Sequence, residues 1–353
     1  MKEPVFQTLP NIVYAGRAAA GLYAILRTVC RDAEVVVPAN VCPAAVYPIV
    51  YSGNCPVFCD VEAPAGNVSL AGIRDCVTDR TAAVLVPHMY GNPVQDIAAI
   101  AEFCRDRDVL LVEDCASAMG AQTDTGMVGT FGDYVLYSTG HAKVLDFGGG
   151  GFVTSAKCLA PVETVLMELP LPSDRSRAIE REYAHEYRRY LNTRKPLAEF
   201  SGRDYFQRDF REMFLIRAGE EYMSSALSRI NCELPGEIDR RRRAYDRWVN
   251  MFRELVCDAG VEIYRYHPTG IPWRFSFFIE AGRRQRVADA LLAAGIPVSD
   301  WYPMMTELFG DTRVYPTANA LGSEILNVPL DLSDDEIAKT CAIVASSFAN
   351  GKD

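Results

Sequence analysis

The stretch AAVLVPHMYGNPVQDIAAIAEFCRDRDVLLVED, residues 82–114, predicts the fold of this chain. It begins with one apolar run, AAVLVP (82–87), and ends with a second, LLVED (110–114), each about as long as a strand. Between them, the apolar residues of DIAAIAEFCRDRDV (96–109) recur at helical intervals. A strand, a helix and a strand in this order form the unit that builds parallel sheets covered by helices. The stretch therefore predicts an α/β fold.

Similar elements extend this pattern on both sides of the central stretch. The sequence predicts a helix over RAAAGLYAILRTV (17–29) and strands in VVVP (35–38), PVFCDV (56–61), DYVLYS (133–138) and GFVTS (151–155). We therefore expect a large domain with a mostly parallel sheet covered by helices.

The later part of the chain differs in character. Residues 175–217 are rich in arginine, glutamate and tyrosine and predict helical connections, and residues 237–254 predict one long helix. The C-terminal elements are expected to be a strand and two helices: WRFSFFIE (273–280), RRQRVADALLAAG (283–295) and SDDEIAKTCAIVASSF (333–348), which starts with a capping serine. We predict a large domain with its connecting region at residues 1–240 and a smaller C-terminal α+β domain at residues 241–353.

The composition narrows the classes of function. The chain has 353 residues, 49% of them hydrophobic, and is long enough to bury a full core. Its net charge of −10 is spread along the sequence, which argues against nucleic acid or an anionic membrane as a partner. No apolar run approaches the ~20 residues of a membrane span, and the N-terminus lacks the pattern of a signal peptide. We therefore expect a cytoplasmic protein that acts on a small molecule.

The cysteines predict neither a disulfide framework nor a metal site. There are 11, an odd number, and most are single. The closest pair, Cys55 and Cys59, lacks a second pair or nearby histidines. We expect reduced thiols that pack as small hydrophobic groups.

Three stretches are expected to meet where the parallel strands end, which is where such sheets bind ligands. YAGRAAAG (14–21) offers a glycine-containing turn into a helix, whose free N–H groups suit a phosphate. LVEDCASAMG (111–120) ends a strand with Asp114, a carboxylate that is costly to bury without a cationic partner. YSTGHAK (137–143) supplies a serine hydroxyl and the amine of Lys143, and a run of glycines follows it.

Together these groups indicate pyridoxal phosphate (PLP) as a cofactor. A lysine can bind PLP through a Schiff base, and a carboxylate can keep its pyridine nitrogen protonated so that the ring accepts electrons. Each feature also has a simpler explanation by itself, because a single lysine is usually a solvated surface group and a glycine tract is usually a loop. Their joint placement on successive strand ends favours the cofactor.

Several motifs carry a family resemblance through their order and spacing. They are GRAAAGLYAIL (16–26), VVVPANVCPAAVYPIVYSGNCPVFCDVE (35–62), VPHMYGNPVQDIAAIAEFC (86–104), VLLVEDCASAMGA (109–121), GTFGDYVLYSTGHAK (129–143) and GGGGFVTS (148–155). In this order they resemble the DegT-type aminotransferases, a family of fold type I PLP-dependent enzymes that mostly act on nucleotide-linked keto-sugars. Two later segments, EEYMSSALSRI (220–230) and SEILNVPLD (323–331), are similar to later landmarks of that family.

The resemblance implies a role for each matched residue. It makes Lys143 the Schiff-base lysine and Asp114 the partner of the pyridine nitrogen. Ser138, five residues before the lysine, is implied to bind the cofactor phosphate together with backbone N–H groups of Gly16 and Arg17. No metal is implied.

Four positions depart from the pattern of the family. Ser117 replaces a glutamine or histidine that reaches the ring hydroxyl of the cofactor, and we expect water to fill the gap. Cys42 occupies the position of an aromatic ring that stacks on the cofactor. Gly149 replaces a glutamate, and Glu220 or Glu221 replaces an asparagine that the neighbouring subunit sends to the phosphate. These changes mark a divergent branch.

Two histidines near the expected site have alternative explanations. His88 follows a strand that ends at the same cleft, so it is a candidate for cofactor binding, although loop packing explains both it and Tyr90. His141 lies two residues before Lys143, and a structural role explains it equally well.

Arginines and aromatic residues later in the chain also have two interpretations. Arg217, Arg229 and the run 240–243 are able to grip a carboxylate or a diphosphate, but the run is better explained as the solvated face of a helix. Trp301 and Tyr302 suit either stacking on a nucleobase or core packing.

The resemblance implies a homodimer whose subunits share the active site. Such an enzyme moves an amino group from an amino acid, with L-glutamate expected, to a nucleotide-linked keto-sugar in surface-polysaccharide or natural-product biosynthesis. Family members with histidine in place of the lysine resemble dehydratases instead, and this chain keeps Lys143. The alternatives are a transaminase of a cyclitol or free sugar acid and a regulatory protein that binds PLP without turnover. A regulatory protein has no need of the lysine.

Overall fold

The computed structural model describes residues 11–193, 197–256, 260–302 and 304–349. In these ranges the strands form one sheet of seven strands and one of three. The larger sheet consists of β1 (Ile12–Ala15), β2 (Glu34–Pro38), β3 (Cys55–Cys59), β4 (Thr81–Pro87), β5 (Leu110–Asp114), β6 (Tyr134–Ser138) and β7 (Gly151–Thr154). The smaller sheet consists of β8 (Glu262–Ile263), β9 (Phe275–Phe278) and β10 (Ile325–Val328).

Helices connect the strands and cover the sheets. In the first half of the chain they are α1 (Ala18–Val29), α2 (Pro43–Tyr51), α3 (Leu70–Cys76), α4 (Ile97–Asp106) and α5 (Ala160–Glu168). In the second half they are α6 (Asp174–Thr193), α7 (Arg211–Phe214), α8 (Glu220–Leu255), α9 (Ala281–Ala293), α10 (Pro316–Glu324) and α11 (Asp334–Ala349). No helix in the described ranges has both the length and the apolar character that crossing a membrane requires.

The larger sheet confirms the predicted α/β class. Its strand order is β1-β7-β6-β5-β4-β2-β3, with parallel pairing from β3 through β6 and an antiparallel β7 between β6 and β1. Helix α4 joins β4 to β5, so the strand–helix–strand unit of residues 82–114 is confirmed. The middle strands are buried on both faces, which explains why they read as continuous apolar runs.

The sheet register brings the three expected stretches to one edge. Pro87 of β4 pairs with Asp114 of β5, and Ser138 of β6 pairs with Gly151 of β7. Ala15, the last residue of β1, pairs with the same Gly151 from the other side. The carboxyl ends of β1, β4, β5 and β6 therefore lie next to one another, and the loops that follow them share one edge.

A second core lies around the smaller sheet. Trp248 of α8 stacks on Phe275 of β9 with ring centroids 4.6 Å apart, and both side chains are fully buried. Ser333 and Glu336 cap α11 reciprocally, as the capping serine predicted: the N–H of Glu336 donates to the serine hydroxyl, and the N–H of Ser333 donates to the glutamate. The predicted boundary between residues 240 and 241 lies inside α8, and the division into two domains remains a prediction.

Helix α8 is longer than the predicted helix at residues 237–254. It begins at Glu220 and continues through Pro235, because the buried side chains of Ile230 and Leu234 anchor its first half in the core beneath the sheet edge. A proline inside a helix costs about 3 kcal/mol, and in the isolated sequence Pro235 and Gly236 indicate a break. Tertiary packing outweighs that local preference here.

Candidate active site

A cavity of about 210 Å³ opens at the shared edge of the strands. Five of the residues predicted for the site line it: Arg17, Cys42, Asp114, Ser138 and Lys143. They come from α1, α2, β5, β6 and the loop after β6, so the fold gathers residues that are far apart in the sequence. Alanines of α1 and α2, Leu136 and Phe214 complete much of the apolar wall.

Asp114 provides the negative charge of the cavity. It ends β5, and its Oδ1 accepts a hydrogen bond from the N–H of Ala116 at 2.8 Å. Burial raises the pKa of the Asp114 carboxyl above its usual value, and the charge of Lys143 offsets only part of that effect. The carboxylate is therefore short of a cationic N–H donor inside the cavity.

Lys143 lies on the loop after β6 and is partly buried. Its Nζ donates a hydrogen bond to the hydroxyl of Ser117 at 3.3 Å. The loop closes on itself where the N–H of Phe147 donates to the carbonyl oxygen of Thr139 at 2.8 Å. This arrangement directs the amine into the cavity beside the end of β5.

In the glycine tract after the lysine, backbone conformation and close packing require glycine at position 150. Its φ is +88°, a value that favours glycine, and a Cβ at this position would lie 2.3 Å from the ring of Tyr222. The hydroxyl of Tyr222 shares a hydrogen bond of 2.7 Å with that of Thr139, which ties α8 to the loop. Gly149 lines the cavity with open space where a side chain would be, so nothing there replaces the glutamate of related proteins.

The expected phosphate site lies at the N-terminus of α1. Arg17 is the N-cap residue and offers no side-chain bond to the first turn, while Ala18 and Ala19 line the cavity. The Ser138 hydroxyl lies beside them and accepts from the N–H of Gly140 at 3.3 Å. A helix N-terminus with a neighbouring hydroxyl suits a phosphate.

The structure does not offer Gly16 as a phosphate donor. Its N–H donates to the carbonyl oxygen of Ile216 at 3.0 Å, and the residue lies outside the lining of the cavity. A Cβ at Gly16 would lie 2.6 Å from the carbonyl oxygen of Arg217, so a close approach of two chain segments requires the glycine. The side chain of Arg17 is held by Glu180 at 2.5 Å.

The structure places His88 in a packing role rather than at the cofactor. Its Nδ1 accepts from the N–H of Val94 at 2.9 Å, and its Nε2 lies 3.0 Å from Oε1 of Glu113. The first bond requires an unprotonated Nδ1 in the neutral ring, so Nε2 carries the proton and donates it. Both nitrogens are occupied, and His88 does not line the cavity.

Glu113 is a buried carboxylate that the sequence analysis did not single out. Besides His88, it accepts from the N–H groups of Gly129 at 2.6 Å, Phe131 at 3.0 Å and Gly132 at 2.9 Å. Burial acts to raise the pKa of Glu113, but His88 and these N–H groups outweigh it and lower the pKa below the usual value. The signal in the sequence was the adjacent pair Glu113 and Asp114, whose side chains point to opposite faces of a strand.

The same cluster contains a grouping of metal-ligand types. Among the described residues, potential ligand atoms of His88, Glu113 and Cys115 lie within 4.8 Å of one another. The ring nitrogens and the carboxylate oxygens are already committed to hydrogen bonds, so the grouping gives no ground for a metal proposal.

Cys42 and Ser117, two of the departures from the family pattern, both lie close to Lys143. Cys42 is the N-cap residue of α2 and lines the cavity, where burial raises the pKa of its thiol. Ser117 is the hydrogen-bond partner of the lysine amine. The hydroxyl of Tyr302 also lies next to Ser117, so one of the two aromatic residues with alternative explanations, Trp301 and Tyr302, lies beside the site.

His141 and the acidic residues at the start of α8 are exposed. His141 lines the cavity, but its side chain is 95% exposed, with Nδ1 3.2 Å from Asp146. Glu220 and Glu221 occupy the first turn of α8. Their expected contact with a second subunit remains a prediction.

The arginine run at 240–243 is only in part the solvated helix face that we predicted. Arg240 and Arg243 are exposed, and Arg240 pairs with Glu237 at 2.7 Å, as that prediction requires. Arg241 is buried, and Arg242 donates to the carbonyl oxygens of Gly270 and Thr269. The carbonyl groups that Arg241 and Arg242 bind lie in loops distant in the sequence, so these contacts could not be predicted from the arginine run itself.

The residues present fit PLP. The buried carboxylate of Asp114 needs a cationic N–H donor, Lys143 faces the same cavity, and the α1 N-terminus with Ser138 suits a phosphate. At the strand ends of this sheet, the set defines the class of fold type I PLP-dependent enzymes. Residues 15–166 match the model of the DegT/DnrJ/EryC1/StrS aminotransferase family, which confirms the resemblance seen in the sequence.

Relatives and solved structures extend the match. The chain is 33% identical over 140 residues to GDP-perosamine synthase of Escherichia coli O157:H7, covering 40% of this chain and 38% of that one. It is 28% identical over 320 residues to UDP-N-acetyl-3-dehydro-alpha-D-glucosamine 3-aminotransferase of Acidithiobacillus ferrooxidans, covering 88% and 76%. The aminotransferase TlmJ from Streptoalloteichus hindustanus superposes with a TM-score of 0.72 at 24% identity, covering 96% of this chain and 86% of that one. The shared fold confirms the predicted architecture.

Proposed function

We propose that this chain is a PLP-dependent aminotransferase that moves an amino group from an amino acid, with L-glutamate as the expected donor, to a nucleotide-linked keto-sugar. The observation that carries the proposal is the meeting of Lys143 and Asp114 in one cavity, with Ser138 and the N-terminus of α1 beside them. When bound, PLP supplies an aldehyde carbon that takes up amino groups and a ring that accepts electrons.

Each side chain then has a task that its position permits. Asp114 would hold the ring nitrogen in its protonated state, and that contact would also offset the cost of burying the carboxylate. Lys143 would hold the cofactor covalently through Nζ, and the same amine would serve as the acid–base group that moves a proton at the substrate carbon. The hydroxyl of Ser117 orients that amine by accepting its hydrogen bond. Ser138 and the first turn of α1 bind the phosphate.

The substrate class rests on the relatives. GDP-perosamine synthase and the UDP-linked 3-aminotransferase are named for nucleotide-linked sugars, which supports a substrate of the same kind here. A role in making aminated sugars for surface polysaccharides or natural products follows from that class. A keto cyclitol or free sugar acid is the second candidate, because Ser117 and Gly149 depart from the usual residues.

We further propose a cytoplasmic homodimer with a shared active site. A second cavity, which shares Arg17, Gly149 and Gly150 with the first, is lined by the glycine tract and by Gly219 and Tyr222 at the start of α8. Glu220 and Glu221 lie there, in the segment that the family resemblance implies is sent to a neighbouring subunit. Light scattering during size-exclusion chromatography should give a mass twice that of one chain, which is 39.1 kDa. A monomer that turns over substrate would contradict the shared site.

An absorbance spectrum tests the central proposal. With PLP added, the purified protein should show a band near the visible edge that shifts to shorter wavelength with excess L-glutamate. Lys143→Ala should abolish both the glutamate response and turnover. Lys157→Ala is the matched control, since Lys157 is an exposed lysine paired with Asp133 at 2.8 Å on the opposite edge of the sheet. Turnover that survives in Lys143→Ala would overturn the proposal, and a response only to another amino acid would correct the donor.

A further inference from the structure

The loop that carries Lys143 is held by two donors from outside the larger sheet. The indole Nε1 of Trp273 donates to the carbonyl oxygen of Ala142 at 2.7 Å. The Nη2 of Arg241 donates to the carbonyl oxygen of Lys143 itself at 3.0 Å. Two consecutive carbonyl groups at the lysine are therefore fixed by side chains that belong to α8 and to the segment before β9.

Arg241 is itself held rigidly. Its side chain is 11% exposed, and its Nε donates to Oε1 of Glu237, one turn earlier on α8, at 2.8 Å. Its Nη1 donates to the carbonyl oxygens of Pro272 at 3.2 Å and Trp273 at 3.0 Å. Each nitrogen of the guanidinium has a partner, and a planar fork of donors can satisfy three sites at once where a lysine cannot.

The backbone beside the lysine needs such support. Ala142 has φ of +59°, a left-handed conformation that alanine seldom adopts. Its N–H donates to Asp146 at 3.1 Å, and its carbonyl oxygen accepts from Trp273. A residue in this region persists where its surroundings hold it, and the direction of the Lys143 side chain follows from the backbone of this turn.

Trp273 also contacts a residue that lies near the amine of Lys143. The ring of Trp273 stacks on that of Tyr302, with centroids 5.9 Å apart and planes at 17°. The hydroxyl of Tyr302 lies next to Ser117, which accepts from Nζ of Lys143. Residues from the C-terminal side of the molecule therefore bind the carbonyl group of Lys143 and lie close to its amine.

We propose that Arg241 and Trp273 are positioning residues for Lys143, which hold its backbone so that Nζ points to Ser117 and the end of β5. Neither side chain touches the reacting atoms. The inference rests on the proposed function and extends it by assigning the orientation of the lysine to residues that lie about 100–130 positions later in the chain. Displacing a reacting group by about 1 Å costs about a hundredfold in rate, so orientation alone has a large effect.

Three variants isolate the two contacts. Trp273→Phe removes the indole N–H and keeps an aromatic ring against Tyr302. Arg241→Met removes the guanidinium, and Arg241→Lys keeps one charge without the fork. Arg242→Met is the matched control, because Arg242 lies next on α8 and donates to the carbonyl oxygens of Gly270 and Thr269 but not to the lysine loop.

The first measurement follows the amine without requiring turnover. The protein without added cofactor is pulsed with an amine-acylating reagent across a pH series, and modification of Lys143 is read by mass spectrometry with Lys157 as an internal reference. Trp273→Phe and Arg241→Met should raise the labelling rate of Lys143 about threefold as the amine gains freedom. Arg242→Met should leave it unchanged. Thermal unfolding of each variant identifies any that fails to fold, and Trp273→Phe then carries the test.

The second measurement separates orientation from binding. In Trp273→Phe and Arg241→Met, kcat should fall about tenfold or more with KM little changed, and Arg241→Lys should recover part of the loss. Labelling and kcat that match the wild type in both variants would overturn the proposal, as would an equal loss in Arg242→Met. If the wild type shows no transamination, the proposed function fails while the labelling result still judges the positioning of Lys143.

Discussion

Glu113 and Asp114 are adjacent carboxylates on opposite faces of β5, and they differ in how many hydrogen bonds the protein gives them. Glu113 accepts hydrogen bonds from three backbone N–H groups and from His88, while Asp114 accepts one from a backbone N–H. As a result, the pKa of Glu113 lies below its usual value, and burial raises the pKa of Asp114 above its own. Glu113 is thus fully hydrogen-bonded within the protein, while the carboxylate of Asp114 keeps acceptor capacity toward the cavity, which is what the proposed function requires of it.

Asp114→Asn should produce the largest effect and act on function. We expect turnover to fall by about 10²–10³-fold, because the ring nitrogen loses its ionic partner. The cofactor-free protein should gain stability at pH 7, because a half-buried carboxylate with a raised pKa loses its contribution to stability as the pH rises above its usual 3.8. Turnover assays and thermal unfolding measure the two effects. A cofactor-free Asp114→Asn protein that is clearly less stable would remove the contrast with Glu113.

Glu113→Gln should act on stability instead. The amide keeps the shape but loses the charge and one acceptor for the bound N–H groups, so we expect a loss of about 3 kcal/mol in the free energy of unfolding. Urea or thermal unfolding of the cofactor-free protein measures it. Glu233→Gln is the control, since Glu233 is exposed and pairs with Arg229 at 3.1 Å, and it should change stability by about 0.5 kcal/mol or less. Equal stability of the two variants would show that the cluster around Glu113 is not structural.

The smallest expected effect is a difference between the wild type and Glu113→Gln in how stability depends on pH. Because the folded pKa of Glu113 is depressed, its contribution is full above the ordinary glutamate value of 4.5 and is lost as the pH falls through the lower folded value. The wild type should therefore lose stability more steeply than Glu113→Gln as the pH falls below 4.5. Unfolding midpoints from pH 6 to the acid limit of solubility would show this, and parallel curves would contradict it.

The local elements were largely predictable from the sequence. The strands β4, β5 and β6 are largely buried on both faces, so they appear in the sequence as continuous apolar runs, and these runs predicted the parallel sheet. Asp114 and Ser138 end strands, and Lys143 follows one, so the sequence predicted that all three would lie at the same edge, and they line one cavity. Helix α8 was predicted too short, because the packing of Ile230 and Leu234 outweighs the local effect of Pro235.

Roles that depend on distant partners were not predictable. His88 was placed among the cofactor-binding candidates, but a bond from the Val94 N–H and the contact with Glu113 occupy its ring. Gly16 was expected to donate to a phosphate, but its N–H is used by Ile216. Arg241 was assigned to a solvated helix face, although it is buried against carbonyl groups that the sequence places far away.

The sequence by itself determined the α/β class and the chemical groups at the strand ends, because apolar periodicity and strand order are local properties that a parallel sheet converts into a shared edge. Only the tertiary structure decided which of two adjacent carboxylates is saturated with hydrogen bonds and which lines the cavity. It also decided that Arg241 and Trp273 bind the turn at Lys143. Those outcomes depend on burial and on hydrogen-bond partners about 100–130 residues away or on the opposite face of a strand, and no local pattern encodes them.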